Sequence, residues 1–385
     1  MKALQTARRL LLSIAACTLA AASFAQAPEP RPMVEWVIPA LPTHKPQTPE
    51  QAEAGRQRGR ELPPPEILQP MLDRALPAYQ PRKDLKLTGS FKGASSDVLT
   101  TLVQKWFDKF RSYHPGVTLG ISPPYAGSYG AGELVKENLD FVFVSRELRP
   151  DDIKGFNAKF GYDPLSVPVV GGSYRHFGAL DAVAFFVHKD NPIEKLSFDQ
   201  LDAMYSSTRH RGGKPIATWG ELGLSGEWAD KPIKLYGIKP WNGFEEFIRQ
   251  RVLSKGDKRG EWREDIAFEK LVFPMAKNVA SDRYGIGYSG VAYVDAAVRM
   301  IPVTANAGDA PQAPTYENVA LATYPLSRLI FFNANKAPGK PLPPALNEFL
   351  RFVLSREGQQ VVLDHASYIP LRAWQVQNSR VLLDN

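Results

Sequence analysis

Small polar residues recur in this sequence where a predicted strand ends and a predicted helix begins. Such a corner directs unpaired backbone N–H groups, a hydroxyl or an amide, and the positive end of a helix dipole into one crevice at the strand ends. Each residue type is also an ordinary N-cap, so a single corner says little about function. Several corners together predict a site for a small anion. The candidate ligand-binding residues are Ser90, Ser95, Ser96, Ser128, Ser145, Arg146, Asn242 and Gly243.

The short motifs of common enzyme classes are missing from the sequence. It has no His-Glu-x-x-His pair, no Walker loop and no Gly-x-Ser-x-Gly elbow. Its six histidines are scattered without the spacing of metal ligands. The pairs Asp151-Asp152 and Glu245-Glu246 fall at predicted helix starts or exposed helix turns, where the helix dipole accounts for them. We therefore expect no catalytic residue, no metal and no cofactor.

Length and composition bound the class of protein. A chain of 385 residues is long for one domain and fits two lobes of roughly 150 residues each. Its 44% hydrophobic and 23% charged residues are typical of a soluble globular protein. The formal net charge is +7, and Lys2, Arg8 and Arg9 contribute three of those charges, so the chain after residue 27 carries about +4. That bias is too small to predict nucleic-acid binding.

The first 27 residues have the pattern of an export signal. A basic start is followed by an apolar stretch and by Ala25-Gln26-Ala27, the small-x-small pattern that signal peptidase accepts. The apolar stretch is short for a membrane span, and no later run of 18 apolar residues occurs. We expect an exported protein, either soluble or tethered.

Cys17 leaves two alternatives for the amino terminus. It lies in Ile14-Ala15-Ala16-Cys17, which also resembles a bacterial lipoprotein cleavage box. That processing would leave only about seven apolar residues after Arg9, the lower edge of the usual length, so we favour cleavage after Ala27. With one cysteine, no disulfide can form within the chain, and a cysteine nucleophile or cysteine metal site is excluded.

Residues 28–84 form a proline-rich arm, because they hold 13 of the 33 prolines. Proline lacks an N–H donor and biases the preceding residue away from helix, so the arm is expected to be extended. A short helix over Pro65–Leu76 is compatible with the apolar spacing. The arm is either a spacer or a partner-binding segment, and we favour the spacer.

After Leu85, strand and helix patterns alternate, which predicts an α/β fold. An apolar stripe after Asp97 predicts a core-facing helix, and Ser197 with Gln200 forms a capping box. We predict a helix over 244–254 and one long amphipathic helix over 345–364. The predicted strands are 85–88, 117–121, 141–144, 167–170, 182–187, 233–236, 286–288 and 329–333.

These motifs resemble the periplasmic phosphate-binding proteins of ABC transporters and their wider relatives in the type II solute-binding superfamily. The resemblance covers about residues 85–371. It rests on five segments taken in order, namely DFVFVSRELRPDD at 140–152, VAFFVHKDNPIEKLSFDQL at 183–201, YGIGYSGVAYVD at 284–295, YPLSR at 324–328 and FLRFVLSREGQQVVLDHASYIPL at 349–371.

The resemblance implies two α/β lobes, joined by crossing segments that close on a ligand like a hinge. In this organisation residues 1–27 are the signal peptide and residues 28–84 the arm. Residues 85–180 and 290–385 form the first lobe, and residues 181–289 form the second.

The resemblance also implies roles for the strand-end residues. The hydroxyl after the first strand is Ser90 or one of Ser95 and Ser96, Ser128 matches the second loop, and Arg146 stands where the family often has Asp. In the second lobe the usual Ser-Gly-Thr is replaced by Asn242-Gly243-Phe244, and the arginine before it by Ile238. Each charge-assisted bond lost here would cost roughly 1.5–3 kcal/mol. Candidates that would compensate are Arg146, Lys239 and Arg328.

The function implied is a monomeric solute-binding protein of the periplasm, in the bacterial envelope, that captures phosphate or a related oxyanion and delivers it to a membrane permease, without nucleic acid as a partner. The altered second-lobe corner and the unusual arm favour an alternative, a diverged envelope sensor or interaction protein. A phosphate-ester hydrolase is the weakest alternative, because no nucleophile, base and orienting partner can be assembled from the sequence.

Overall fold

The computed structural model describes residues 72–384, except for residues 85, 123–131, 176–179, 241 and 295. The predicted signal peptide, Cys17 and residues 28–71 of the arm lie outside this part of the chain. The strands are β1 (Gly89–Ser95), β2 (Val117–Ile121), β3 (Phe141–Val144), β4 (Leu165–Gly171), β5 (Val183–His188), β6 (Leu196–Ser197), β7 (Lys234–Ile238), β8 (Ala267–Glu269), β9 (Gly285–Gly290), β10 (Val298–Met300), β11 (Val303–Thr304) and β12 (Leu329–Ala334).

Helices alternate with these strands along the chain, as the α/β prediction requires. The α-helices are α1 (Thr100–Tyr113), α2 (Pro150–Phe160), α3 (Phe198–Tyr205), α4 (Gly243–Ile248), α5 (Met275–Ala280), α6 (Tyr316–Ala320), α7 (Pro344–Val353), α8 (Arg356–His365) and α9 (Ala373–Asp384). A π turn over Arg249–Leu253 continues α4. None of the helices in the described ranges is long and apolar enough to cross a membrane.

The first lobe is built on a sheet whose described strands have the order β2-β1-β3-β12-β4. β1, β2 and β3 are mutually parallel, whereas β12 is antiparallel to β3 and to β4. Since parallel strands end at the same edge of a sheet, β1 and β3 end side by side. Of the predicted first-lobe site residues, Ser96, Ser145 and Arg146 follow these two strand ends.

The second lobe is built on a sheet of order β10-β5-β9-β7-β8. β5 pairs antiparallel with β9 and β10, while β7 pairs parallel with β8 and β9. β5 is buried along nearly its whole length, which explains its continuous apolar run VAFFV. The carboxyl end of β7 leads to the Asn242 corner, and that of β9 to Gly290.

Two crossing segments connect the lobes side by side. One runs from β4 to β5, and the other runs from α6 to β12. The backbone N–H of Gly172 donates to the carbonyl of Arg328 at 2.8 Å, and the N–H of Val183 donates to the carbonyl of Leu326 at 3.2 Å. The crossings are therefore hydrogen-bonded to each other where the lobes meet.

Each sheet carries its own apolar core. In the first lobe, the stripe on α1 packs between the sheet and α7, as its helical spacing predicted. The buried members of that stripe are Leu102, Val103, Trp106, Phe107 and Phe110. Trp106 satisfies its indole N–H within this core by donating to the carbonyl of Gly358 at 2.8 Å, so the burial leaves no donor unpaired there.

The end of the predicted arm belongs to the folded body. Leu76 and Tyr79 are buried in the first-lobe core, and the hydroxyl of Tyr79 donates to the carboxylate of Glu348 at 2.9 Å. Asp73 forms a buried ion pair with Arg372 at 3.3 Å. The boundary predicted at residue 84 therefore falls too late, because residues 72–84 supply apolar and charged anchors to this lobe.

Two element predictions were wrong. The first strand is β1 and not residues 85–88, so Gly89 and Ser90 open the strand instead of ending it. The predicted long helix over 345–364 is two helices, because Ser355 interrupts it and caps α8 by accepting from the N–H of Gly358 at 3.2 Å. The side-chain acceptor of the cap makes a new helix start at that position.

The predicted return to the first lobe at residue 290 also comes too early. β10 pairs with β5 in the second sheet, and Tyr316, Tyr324 and Leu326 lie in the core of the second lobe. Residues 291–326 therefore complete the second lobe, and the chain crosses back just before β12. The edge strand β10, which pairs with β5, and the buried apolar side of α6 hold residues 291–326 in the second lobe.

Candidate functional site

The ends of β1 and β3 bring two predicted site serines together. The backbone N–H of Ser96 donates to the carbonyl of Phe143 at 3.1 Å, which continues the parallel ladder past β1. The hydroxyl of Ser96 then reaches the hydroxyl of Ser145, with 3.4 Å between the two oxygens. This is the edge at which the sequence places an anion site.

The other predicted first-lobe serines are placed differently. Ser95 is buried, and its hydroxyl pairs with that of Thr100 at 3.3 Å, near the start of α1. Ser90 is exposed near the amino end of β1, roughly 20 Å along the chain from Ser96 at the rise of a strand. Ser128 lies outside the described residues. Of these four serines, Ser96 is the one whose side chain contacts Ser145 in the described part of the chain.

Arg146 is buried next to this serine pair, with 8% of its side chain exposed. Its Nη1 donates to the carbonyl of Glu147 at 2.8 Å and to the carboxylate of Asp152 at 3.1 Å. Its Nη2 donates to no group in the described ranges. Burial lowers the pKa of Arg146, and the charge of Asp152 opposes this effect. Arg146 therefore presents a desolvated donor at the lobe junction.

Arg328 reaches the same place from the second crossing. It is 6% exposed, and its Nη2 donates to the backbone carbonyl of Ser145 at 3.3 Å. Its guanidinium carbon lies 4.9 Å from the ring centroid of Phe247 and 5.5 Å from that of Phe244, distances at which a cation and a ring attract. Burial lowers the pKa of Arg328 to about 10, and its Nε has no acceptor among the described groups.

Asp181, in the first crossing, lies close enough to Arg328 for the two groups to interact electrostatically. Its Oδ2 accepts from the backbone N–H of Ala292 at 2.8 Å. Because the side chain is almost wholly buried, desolvation raises the pKa of Asp181 to about 7, although Arg328 opposes the shift. A Cβ at Gly290 would lie 2.2 Å from this carboxylate oxygen and 2.6 Å from the Phe244 ring. This close approach requires glycine at position 290.

The second-lobe corner is an N-cap whose neighbour is aromatic. Oδ1 of Asn242 accepts from the backbone N–H of Phe244 at 2.9 Å. Gly243 is exposed. The Phe244 ring packs edge-on against Tyr293, with 5.8 Å between centroids. The Phe244 ring therefore contacts both Tyr293 and Arg328. It occupies the position at which the usual Ser-Gly-Thr motif has a hydroxyl.

The carboxylate pair on α4 lies in the first turn of that helix, as the helix-start prediction expects, and both of its side chains are buried. Glu245 accepts from the indole N–H of Trp262 at 2.6 Å. Glu246 accepts two bonds of 2.7 Å from Arg259. Asp152 also lies at a helix start, that of α2, where its carboxylate accepts from the backbone N–H of Arg149 at 3.0 Å.

Charged residues that the sequence did not indicate also face the junction. Arg149 in the first lobe lies 3.4 Å from Glu246 in the second. Burial alone would raise the pKa of Glu246, but hydrogen bonds from Arg259 and the charges of Arg259, Arg149 and Arg146 outweigh it and hold the pKa below its usual value. These partners are distant in the chain, so no local pattern connects them. No group of three potential metal ligands converges within the described residues.

Comparison with known proteins agrees with this fold. The PBP superfamily domain matches residues 80–357. The phosphate-binding protein PstS of Pseudomonas aeruginosa is 38% identical over 304 residues, which cover 78% of this chain and 88% of that protein. PstS of Staphylococcus haemolyticus is 26% identical over 294 residues, covering 74% and 82%. The crystal structure of PstS from Borrelia burgdorferi shares the fold, with a TM-score of 0.51 at 15% identity over 74% of this chain and 99% of that one. This chain belongs to the PstS family of phosphate-binding proteins, within the PBP superfamily.

Proposed function

We propose that this protein is an exported solute-binding protein that captures phosphate, or a related small oxyanion, between its two lobes. Family membership supports this function, and so do the buried cations at the lobe junction. In this proposal the anion contacts Ser96, Ser145 and Arg146 from the first lobe and Arg328 from the second crossing. Ser95 at the end of β1, Asn242 and Gly243 at the start of α4, and Ser128 complete the proposed site.

The observation that carries the proposal is the pair of buried guanidinium groups at Arg146 and Arg328. Each has an N–H that no described residue accepts, and each lies beside Ser145 or donates to its carbonyl. A buried donor left without an acceptor costs about 1–3 kcal/mol. An oxyanion offers several acceptors at once and forms charge-assisted bonds with arginine, so its binding would recover that cost.

The delivery of the ligand follows from the same proposal. A two-lobed binding protein changes shape between open and closed states, and a partner protein recognises it by this difference in conformation. We propose a membrane permease of an ABC transporter as the partner, the periplasm as the location and a monomer as the working form. We further propose that the protein performs no catalysis, which a phosphatase assay of the purified chain would test.

Thermal unfolding with an anion panel tests the proposed ligand. The full chain is melted with and without millimolar phosphate, sulfate and small carboxylates. A ligand at about 100 times its Kd adds about 2.7 kcal/mol of stability, so phosphate is expected to raise the Tm. The shift is expected to disappear in Arg146→Gln and to persist in Arg283→Gln, since Arg283 lies in a surface ion pair with Glu227. A phosphate shift that persists in Arg146→Gln would place the anion elsewhere.

A second candidate is a sensor or interaction protein that keeps the fold without phosphate binding. The aromatic corner favours it, because Phe244 packs on Tyr293 and on Arg328. The acceptor oxygen of Asn242 is also already used by the cap. The absence of a Tm shift with every anion would favour this candidate over the transporter component.

A further inference from the structure

Glu246 is held by a bidentate contact within the second lobe. The Nη1 and Nη2 atoms of Arg259 each donate to one carboxylate oxygen at 2.7 Å. The Glu246 side chain is 6% exposed, and that of Arg259 is 24% exposed. Parallel bonds of this length between guanidinium and carboxylate are the strong form of an ion pair. Glu246 is therefore fixed in position at the lobe junction.

Arginines of the first lobe approach the same carboxylate. Nε of Arg149 lies 3.4 Å from Oε1 of Glu246, and the charge of Arg146 also acts on this carboxylate. Within the described part of the chain, Nε of Arg149 finds no hydrogen-bond acceptor, so its contact with Glu246 is an ion pair without hydrogen-bond geometry. One second-lobe carboxylate thus forms an ion pair with Arg149 and lies within electrostatic reach of Arg146.

A carboxylate and a small oxyanion have the same chemistry toward arginine, because each offers negatively charged oxygens to guanidinium N–H groups. We propose that Glu246 is an internal anion that holds the two lobes together through its ion pair with Arg149 when no ligand is bound, and that an oxyanion entering beside Arg146 and Arg149 competes with it for these arginines. This inference rests on the proposed function for the identity of the competing anion. The ion pair between Glu246 and Arg149 forms without any ligand.

A second ion pair across the lobes provides a comparison. Nη1 of Arg251 lies 3.2 Å from Oε1 of Glu147, with 41% and 33% of the two side chains exposed. Water and salt screen a pair with that exposure, so its contribution is small. The buried Glu246 contact is the one expected to determine how tightly the empty lobes stay together.

The experiment compares Glu246→Gln with wild type in two measurements on the full chain. Small-angle scattering without ligand reports the radius of gyration, and calorimetric titration with inorganic phosphate reports the Kd. We expect a larger radius of gyration and a Kd lower by about tenfold, the loss of one ion-pair competitor worth about 1.4 kcal/mol. Glu227→Gln is the matched control, because it makes the same charge change in a surface pair with Arg283.

Arg149→Gln keeps the test decisive if Glu246→Gln fails to fold. It leaves the bond between Glu246 and Arg259 in place and removes the contact across the lobes, so the radius of gyration should still increase. If both variants keep the wild-type radius and Glu246→Gln keeps the wild-type Kd, the inference is overturned. If phosphate binds to neither wild type nor variant while the radius increases, the proposed function fails and the closing role of Glu246 is supported.

Discussion

Nη2 of Arg328 donates to the backbone carbonyl of Ser145 at 3.3 Å. The bond joins the second crossing to the end of β3, so it holds a buried guanidinium where the first lobe presents its serines. The same guanidinium packs over Phe244 and Phe247 in the second lobe. Arg328 therefore contacts both lobes, and a change in their separation must change its surroundings.

Arg328→Lys is expected to weaken phosphate binding by at least about tenfold. Lysine keeps the charge but loses the planar fork that reaches Ser145 and packs against two rings. Calorimetric titration of the variant with phosphate measures the change, and circular dichroism checks that the fold is retained. A lysine variant that binds phosphate like wild type would remove Arg328 from the site.

Asp181→Asn is expected to change how stability depends on pH. Burial raises the folded pKa of Asp181 to about 7 from a usual value of 3.8, so the folded state keeps a proton that the unfolded state has lost. Wild type therefore loses stability as the pH rises from about 4 to about 7, with about 3 kcal/mol of that loss falling between pH 5 and pH 8, and the asparagine variant lacks this loss. Urea unfolding at pH 5 and pH 8 measures it. Parallel pH profiles for the two proteins would contradict this assignment.

Gly290→Ala is expected to destabilise the lobe junction by about 1–3 kcal/mol, the usual cost of overpacking a tight site. The new Cβ would lie 2.2 Å from the Asp181 carboxylate, so Asp181 or the Phe244 ring must move. Gly243→Ala is the control, because nothing lies within 4 Å of a Cβ there. Denaturant unfolding of both variants measures the difference, and equal losses would contradict the close packing.

Asn242 offers a way to separate a helix cap from a ligand contact. Asn242→Ala is expected to lose about 1 kcal/mol of stability, because the bond to the N–H of Phe244 disappears. Asn242→Asp keeps a good cap but adds negative charge, so stability should stay within about 0.5 kcal/mol while phosphate affinity falls. If the aspartate variant keeps full phosphate affinity, Asn242 serves as a cap alone.

The sequence predicted the architecture better than the exact elements. Continuous apolar runs such as β5 and the stripe on α1 are long and periodic, so burial alone indicates them. β1 was missed because its sequence GSFKGAS looks like a loop. A Cβ at Gly93 would overlap the Phe141 ring, which explains a glycine inside that strand and is visible only in three dimensions.

Part of the site could be predicted from local chemistry and part could not. Ser96, Ser145 and Arg146 follow strands directly, so their position at one edge follows from parallel pairing. The contact between Arg149 and Glu246 joins residues almost a hundred positions apart and depends on how the lobes close. The placement of Ser128 stays a prediction.

Calorimetric titration of inorganic phosphate into the full chain decides whether the lobe junction binds the anion. We expect one phosphate per chain, with affinity at least about tenfold weaker in Arg146→Gln, since a buried charge-assisted bond is lost. Sulfate and small carboxylates in the same experiment identify the preferred anion. Absence of phosphate binding up to millimolar concentration, or binding unchanged in Arg146→Gln, would contradict the claim that this junction captures the anion.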